Sequence, residues 1–133
     1  MPRSYLFVPG DSDKKLAKGA AGAADALIID LEDAVAPSNK DAGRALTAQF
    51  LADHPEARAR LWVRVNALET GLADADLAAV VGHRPAGVVL PKCDGIEHVA
   101  RLAAILSTLE ARHGLPDGTT RIMGIITENA SSV

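Results

Sequence analysis

The chain has a single cysteine, Cys93, which rules out an internal disulfide or a cysteine metal cluster within it. Aromatic residues make up only 3% of the sequence, leaving few rings on which bases could stack. No stretch approaches the roughly 18 consecutive apolar residues of a membrane span, and the first residues carry no signal-peptide pattern. There is no run of Lys or Arg: 14 basic residues face 17 acidic ones, for a formal net charge of −3. That balance argues against a nucleic-acid or membrane-surface partner. Neither a GxGxxG loop nor a Walker loop is present, which argues against nucleotide hydrolysis and a standard dinucleotide site. These absences predict a soluble, cytoplasmic protein with no nucleic-acid or membrane partner.

What is present is a chain of 133 residues, 48% of them hydrophobic, long enough for one domain with a real core. Short apolar runs alternate with longer Ala- and Leu-rich stretches. The runs at Tyr5–Val8, Ala26–Leu31, Leu61–Val65, Gly87–Leu90 and Ile122–Ile126 suit strands buried on both faces. Helices are predicted at Asp13–Ala21, Asn39–Ala52, Ala73–Val81 and Ile96–Arg112. In the last, Ile96, Val99, Ala103 and Leu106 form a stripe, with Leu102 and Leu109 beside it. Asp94 with Glu97, and Ser38 with Asp41, have the spacing of helix-start capping boxes. Strand starts roughly 25 to 35 residues apart suit βαβ units and a mainly parallel sheet.

In such folds ligands bind at the carboxyl ends of the strands. Read in order, those ends give Pro9-Gly10-Asp11, then Asp30, Glu32 and Asp33, then Arg64 and Asn66, then Lys92, then Glu128 and Asn129. Charges near a sheet core are costly unless paired or metal-bound. Carboxylates and cations gathered on one rim are the pattern of a site for a metal and an anionic substrate. Each position has a plain alternative. The DLED segment could be a capped loop, Arg64 a solvent-facing strand residue, Lys92 a surface lysine. The four histidines, His54, His83, His98 and His113, lack metal-ligand spacing and read as surface residues.

Five segments together resemble the citrate lyase beta subunit-like proteins of the HpcH/HpaI aldolase/citrate lyase superfamily. They are RSYLFVPGD (Arg3–Asp11), DALIIDLEDAVAPSNK (Asp25–Lys40), RVN (Arg64–Asn66), VVLPK (Val88–Lys92) and ITENA (Ile126–Ala130). The resemblance implies a TIM-type (β/α)8 barrel, of which this α/β chain would be an N-terminal portion of about five βα units in a single domain. It implies a Mg2+-dependent carbon–carbon lyase acting on a small carboxylic acid carried as an acyl-CoA thioester, of citryl-CoA or malyl-CoA type. By the same analogy Glu128 is a metal ligand, with Asp30 acting on the metal through water. Arg64 holds the substrate carboxylate, with Asn66 and Lys92 as further substrate-binding residues, and Glu32 and Asp33 join Arg64 as catalytic residues. Family members form homo-oligomers, trimers or hexamers.

Two departures from the family pattern stand out. Gly43 occupies a position where alanine is common, a change expected to be one of packing. A second metal ligand, an aspartate in the next βα unit, has no counterpart in the five residues after Glu128, nor do strands six to eight. Three other readings compete: a metal-independent Schiff-base aldolase using Lys92, a non-catalytic half-barrel, and a doubly wound Mg2+-binding signalling module.

Overall fold

The computed structural model describes residues 4–22, 24–91 and 96–124. Among these residues five strands alternate with four α-helices: β1 (Tyr5–Pro9), α1 (Asp13–Ala20), β2 (Ala26–Asp30), α2 (Lys40–Asp53), β3 (Leu61–Arg64), α3 (Ala73–Val80), β4 (Gly87–Leu90), α4 (Ile96–Arg112) and β5 (Arg121–Gly124). All neighbouring strands are parallel, in the spatial order β1-β2-β3-β4-β5. A doubly wound sheet reverses its strand order at a switch point. This sheet does not, so the signalling-module reading is overturned. A monotonic parallel sheet is a segment of barrel wall. Among the described residues the wall is open, with β1 paired to β2 alone and Tyr5, Leu6 and Phe7 exposed.

Strand alternation sorts the core into two layers. Leu27, Ile29, Leu61, Val63, Val88 and Leu90 point to the helix side and pack with Leu16, Leu51, Leu77, Leu102 and Leu106. The other face carries Ala26, Ile28, Trp62 and Val89, with Met123 packed against them. On this second face, one pleat further toward the strands' carboxyl ends, sit Asp30 and Arg64, which are register partners. Residues of β2 are therefore apolar on both sides until the last, which is why the run ALIID ends in its only charge.

Gly87 faces Trp62 across the β3–β4 register. A Cβ there would lie 2.4 Å from Trp62 Cζ3 and 2.5 Å from the Arg121 carbonyl oxygen, so the indole fits only because position 87 has no side chain. Gly43, within α2, is different: its nearest would-be neighbours, Leu31 Cδ2 and Val35 Cγ1, lie at 3.5 Å, and an alanine fits.

Three sequence expectations need correction. The Ser38–Asp41 capping box does not form. Ser38 lies in a short 3-10 turn (Pro37–Asn39), Asn39 is the N-cap of α2 but its side chain donates to Asp11 and does not cap the helix, and Asp41 pairs with Arg44 at 2.6 Å instead. The buried stripe of α4 is Leu102, Leu106 and Leu109 with Val99 beside it, whereas Ile96 is 84% exposed and Ala103 is exposed. The observed stripe follows the i, i+4, i+7 spacing of one helical face. His54, His83 and His98 are half-buried, and only His113 is exposed; His54 stacks on Phe50 with Nδ1 2.9 Å from the Phe50 carbonyl.

The two glycines give opposite predictions. Gly43→Ala should raise stability by about 0.5–1 kcal/mol, the usual helix-interior gain. Gly87→Ala should lower it by about 1–3 kcal/mol through overpacking. A Trp62→Leu change should not fully restore the latter, because the Arg121 carbonyl is backbone. Urea unfolding of the three variants checks all of this.

Candidate functional site

The rim is built around one ion pair. Arg64 Nε and Nη2 donate to Asp30 Oδ1 and Oδ2 at 2.9 and 2.6 Å, a bidentate fork across adjacent strands. The side chains are 18% and 3% exposed. The same carboxylate turns the chain after β2: Oδ1 accepts from Glu32 N at 2.8 Å and Oδ2 from Ala34 N at 3.1 Å. Burial would push the Asp30 carboxyl up, but the hydrogen bond from Arg64 and those from the two backbone amides hold it below its ordinary value. The hydrogen bond to Asp30 outweighs burial for Arg64 and raises the guanidinium further. Glu32, itself buried, brings Oε1 to 3.6 Å from Arg64 Nε, and the guanidinium carbon lies 4.9 Å above the Phe7 ring centre.

The acidic segment after β2 is also held from behind. Lys40, the first residue of α2, donates from Nζ to the carbonyls of Leu31, Glu32 and Val35 at 2.9, 2.8 and 3.1 Å. Asn66 completes the tie: its Nδ2 donates to the Leu31 carbonyl at 3.0 Å and to Asp76 Oδ2 at 2.7 Å. Asp76, fully buried on α3, also accepts from Asn66 N at 2.7 Å and from Arg44 Nε at 2.7 Å. Glu32, Asp33, Lys40, Asn66 and Thr70 line an open depression beside these loops.

Of the residues singled out in the sequence, Asp30, Glu32 and Arg64 are thus in mutual contact, and Asn66 is linked to them through Leu31. Asp33 is exposed at the same rim. Lys92 and Glu128 lie outside the described residues, as do Asp94, Asn129 and the ITENA segment. Among the described residues no group of three or more His, Cys, Asp or Glu could hold a metal ion. Both Asp30 oxygens are engaged by N–H donors, so this carboxylate is committed to the protein and not to direct metal coordination. The described part of the rim does not make a metal site by itself.

Sequence reasoning missed Lys40, Arg44 and Asp76. A signal existed for the first two: cations at the start of a helix oppose its dipole. Asp76 lies in an Ala-rich helix, where an acid reads as a solvated face; its burial depends on a partner 32 residues away.

A family model described as HpcH/HpaI aldolase/citrate lyase matches residues 3–133. The citrate lyase subunit beta of Leuconostoc mesenteroides is 32% identical over 124 residues, 93% of this chain and 41% of that protein. The mitochondrial citramalyl-CoA lyase of Rattus norvegicus is 35% identical over 99 residues, 73% of this chain and 29% of that one. A (3S)-malyl-CoA thioesterase of Cereibacter sphaeroides is 36% identical over 104 residues, 78% and 36% of the two chains. This chain therefore spans well under half the length of these curated relatives.

Among solved structures, the malate synthase of Haloferax volcanii, in a lead(II) complex, superposes with a TM-score of 0.84 at 24% identity, covering 98% of this chain and 42% of that one, a likeness of fold alone. A citrate lyase beta subunit of Mycobacterium tuberculosis, complexed with oxaloacetate and magnesium, superposes with a TM-score of 0.65 at 34% identity, covering 90% and 56%. Protein CitE of the same organism, with magnesium, acetoacetate and coenzyme A, gives 0.63 at 33%, covering 92% and 38%.

The depressed Asp30 carboxyl predicts a stability contribution that is complete above the ordinary carboxylate range near pH 4 and lost as pH falls through the lower folded-state value. Asp30→Asn should cost about 3 kcal/mol at pH 7, because a largely buried guanidinium loses its bidentate partner and keeps only Glu32 at 3.6 Å. That difference should begin to shrink below about pH 4, where the carboxylate of the unfolded chain protonates, and should vanish as pH falls through the lower folded-state value. Denaturant unfolding of both proteins from pH 7 to pH 2 measures it.

Proposed function

The chain belongs to the HpcH/HpaI aldolase/citrate lyase family, and on that premise we propose that the whole protein is a Mg2+-dependent carbon–carbon lyase. Its substrate would be a small hydroxy acid carried as an acyl-CoA thioester, and this chain would supply the N-terminal part of one barrel domain. The observation that carries the reading is the Arg64 fork, held by Asp30 at the carboxyl ends of β2 and β3 beside Glu32. Arg64 commits two of its five N–H groups to Asp30, and the remainder of the fork would take the substrate carboxylate. Because Asp30 fixes the guanidinium plane beforehand, that carboxylate meets a donor set that needs no reorganisation.

In the proposed reaction the hydroxyl of the substrate loses its proton, the adjacent carbon–carbon bond breaks, and the thioester fragment leaves as an enolate that is then protonated. Glu32 and Asp33 are the rim carboxylates assigned to proton movement, and Asn66 and Lys92 to substrate binding. Magnesium in the two Mycobacterium tuberculosis complexes supports the metal. Hard carboxylate oxygens are the donors Mg2+ prefers. Glu128 would be its protein ligand on this chain, with Asp30 contributing through water at most. When bound, the ion would supply Lewis-acid stabilisation of charge on the reacting oxygen. A cytoplasmic homo-oligomer, trimer or hexamer, completes the proposal.

The test is an assay of the full-length protein with citryl-CoA, malyl-CoA and citramalyl-CoA, following both products. Release of an oxo acid with a shortened acyl-CoA, abolished by EDTA, supports the lyase. Release of free coenzyme A with the intact acid points instead to thioester hydrolysis, and EDTA resistance with borohydride trapping on Lys92 to the Schiff-base mechanism. Arg64→Lys, which keeps the charge but loses the fork, should lower kcat/KM about a hundredfold. Glu128→Gln should abolish the metal-dependent turnover. Wild-type rates in either variant would remove that residue from the mechanism.

A further inference from the structure

We propose that Asp76 is a positioning residue: it sets Asn66, and through it the loop that follows β2, from within the helix layer. The geometry is a relay with one acceptor at its centre. Asp76 Oδ2 accepts from both the backbone N and the side-chain Nδ2 of Asn66, each at 2.7 Å. Its Oδ1 accepts from Arg44 Nε at 2.7 Å. Asn66 Nδ2 reaches on to the Leu31 carbonyl at 3.0 Å, where Lys40 Nζ also donates at 2.9 Å. A two-point hold on backbone and amide of the same residue leaves Asn66 one side-chain orientation, with its amide aimed at the chain between Asp30 and Glu32.

An ordinary buried ion pair joining α2 to α3 would need only Arg44 and Asp76. Here the second oxygen of Asp76 is spent on the rim, and Arg44 has another carboxylate partner in Asp41 at 2.6 Å. The pair serves the strand end as well as the helices. The inference rests on the proposed lyase reading only for its kinetic arm, because the hold on Asn66 is measurable without turnover.

Three variants of the full-length protein separate positioning from simple stabilisation. Asp76→Asn turns one of the two acceptor oxygens into a donor, which faces either Arg44 or Asn66. The double change Arg44→Met with Asp76→Leu replaces the buried pair by apolar side chains, so that no charge is left unpaired and the only cost is the acceptor lost by Asn66. Glu110→Gln is the control. Glu110 is equally buried and accepts from Gly118 N and Thr120 N at 3.0 and 2.6 Å, ahead of β5 and apart from the Asn66 relay. Hydrogen exchange at the Asn66 amide should speed up about tenfold in both Asp76 variants relative to Glu110→Gln at matched stability. Unchanged protection of that amide in the stable double variant overturns the proposal.

The kinetic arm uses whichever of the three thioesters the wild type cleaves. Asp76→Asn should lower kcat/KM about tenfold, and the same change made in an Asn66→Ala background should cost almost nothing further. Losses that multiply would mean that Asp76 acts on turnover by a route other than Asn66, and a stable double variant with wild-type kcat/KM would mean that the pair acts on stability alone; either outcome overturns the proposal. If the wild type cleaves none of the thioesters, the lyase reading fails, and hydrogen exchange still decides the role of Asp76.

Discussion

The pair between Asp30 and Arg64 is made on a sheet face, where neither charge could stay alone. A carboxylate on the inner face of β2 is tolerable because β3 delivers a guanidinium in register with it, and both oxygens then find backbone donors as well. Everything near the rim is referred to this contact. It aligns the two strand ends, starts the turn that carries Glu32 and Asp33, and fixes the plane of the Arg64 guanidinium at the rim.

The acidic loop is consequently not a flexible arm of carboxylates. Asp30 gathers two of its amides from one side while Lys40 gathers three of its carbonyls from the other, so two side chains tie down much of the polar backbone of segment 31–36. This arrangement explains why a lysine opens α2, against the helix dipole, and why an arginine follows four residues later. Lys40 is drawn to the carbonyls of Leu31, Glu32 and Val35, and Arg44 to the buried carboxylate of α3.

Much of this was legible before any coordinates. The apolar runs matched β1 to β4 within two residues: β2 to β4 are buried on both faces and admit little polar interruption, whereas β1, expected to be buried likewise, exposes Tyr5, Leu6 and Phe7. The strand ends pointed to Asp30, Glu32 and Arg64, which do meet. Asp76 was not legible: its neighbours are alanine and leucine, and its burial is made tolerable by donors distant in sequence, the Arg44 guanidinium and the two N–H groups of Asn66. The short 3-10 turns at Pro37–Asn39, Pro55–Arg60, Leu68–Thr70 and Val81–His83 also escaped, because such turns carry no periodic signal. The capping box failed for a related reason: Pro37 starts the turn and Arg44 captures the capping acid.

Trp62 is the only tryptophan among these 133 residues. It lies on the inner face of β3, 4% exposed, two residues before Arg64 and with the Arg121 guanidinium 5.2 Å from its ring centre. For light absorbed near 295 nm this stretch of chain therefore has one chromophore, seated in the wall directly below the rim. Its emission carries a label-free optical record of that interior, sensitive to water entry and to any movement of the cation over its face.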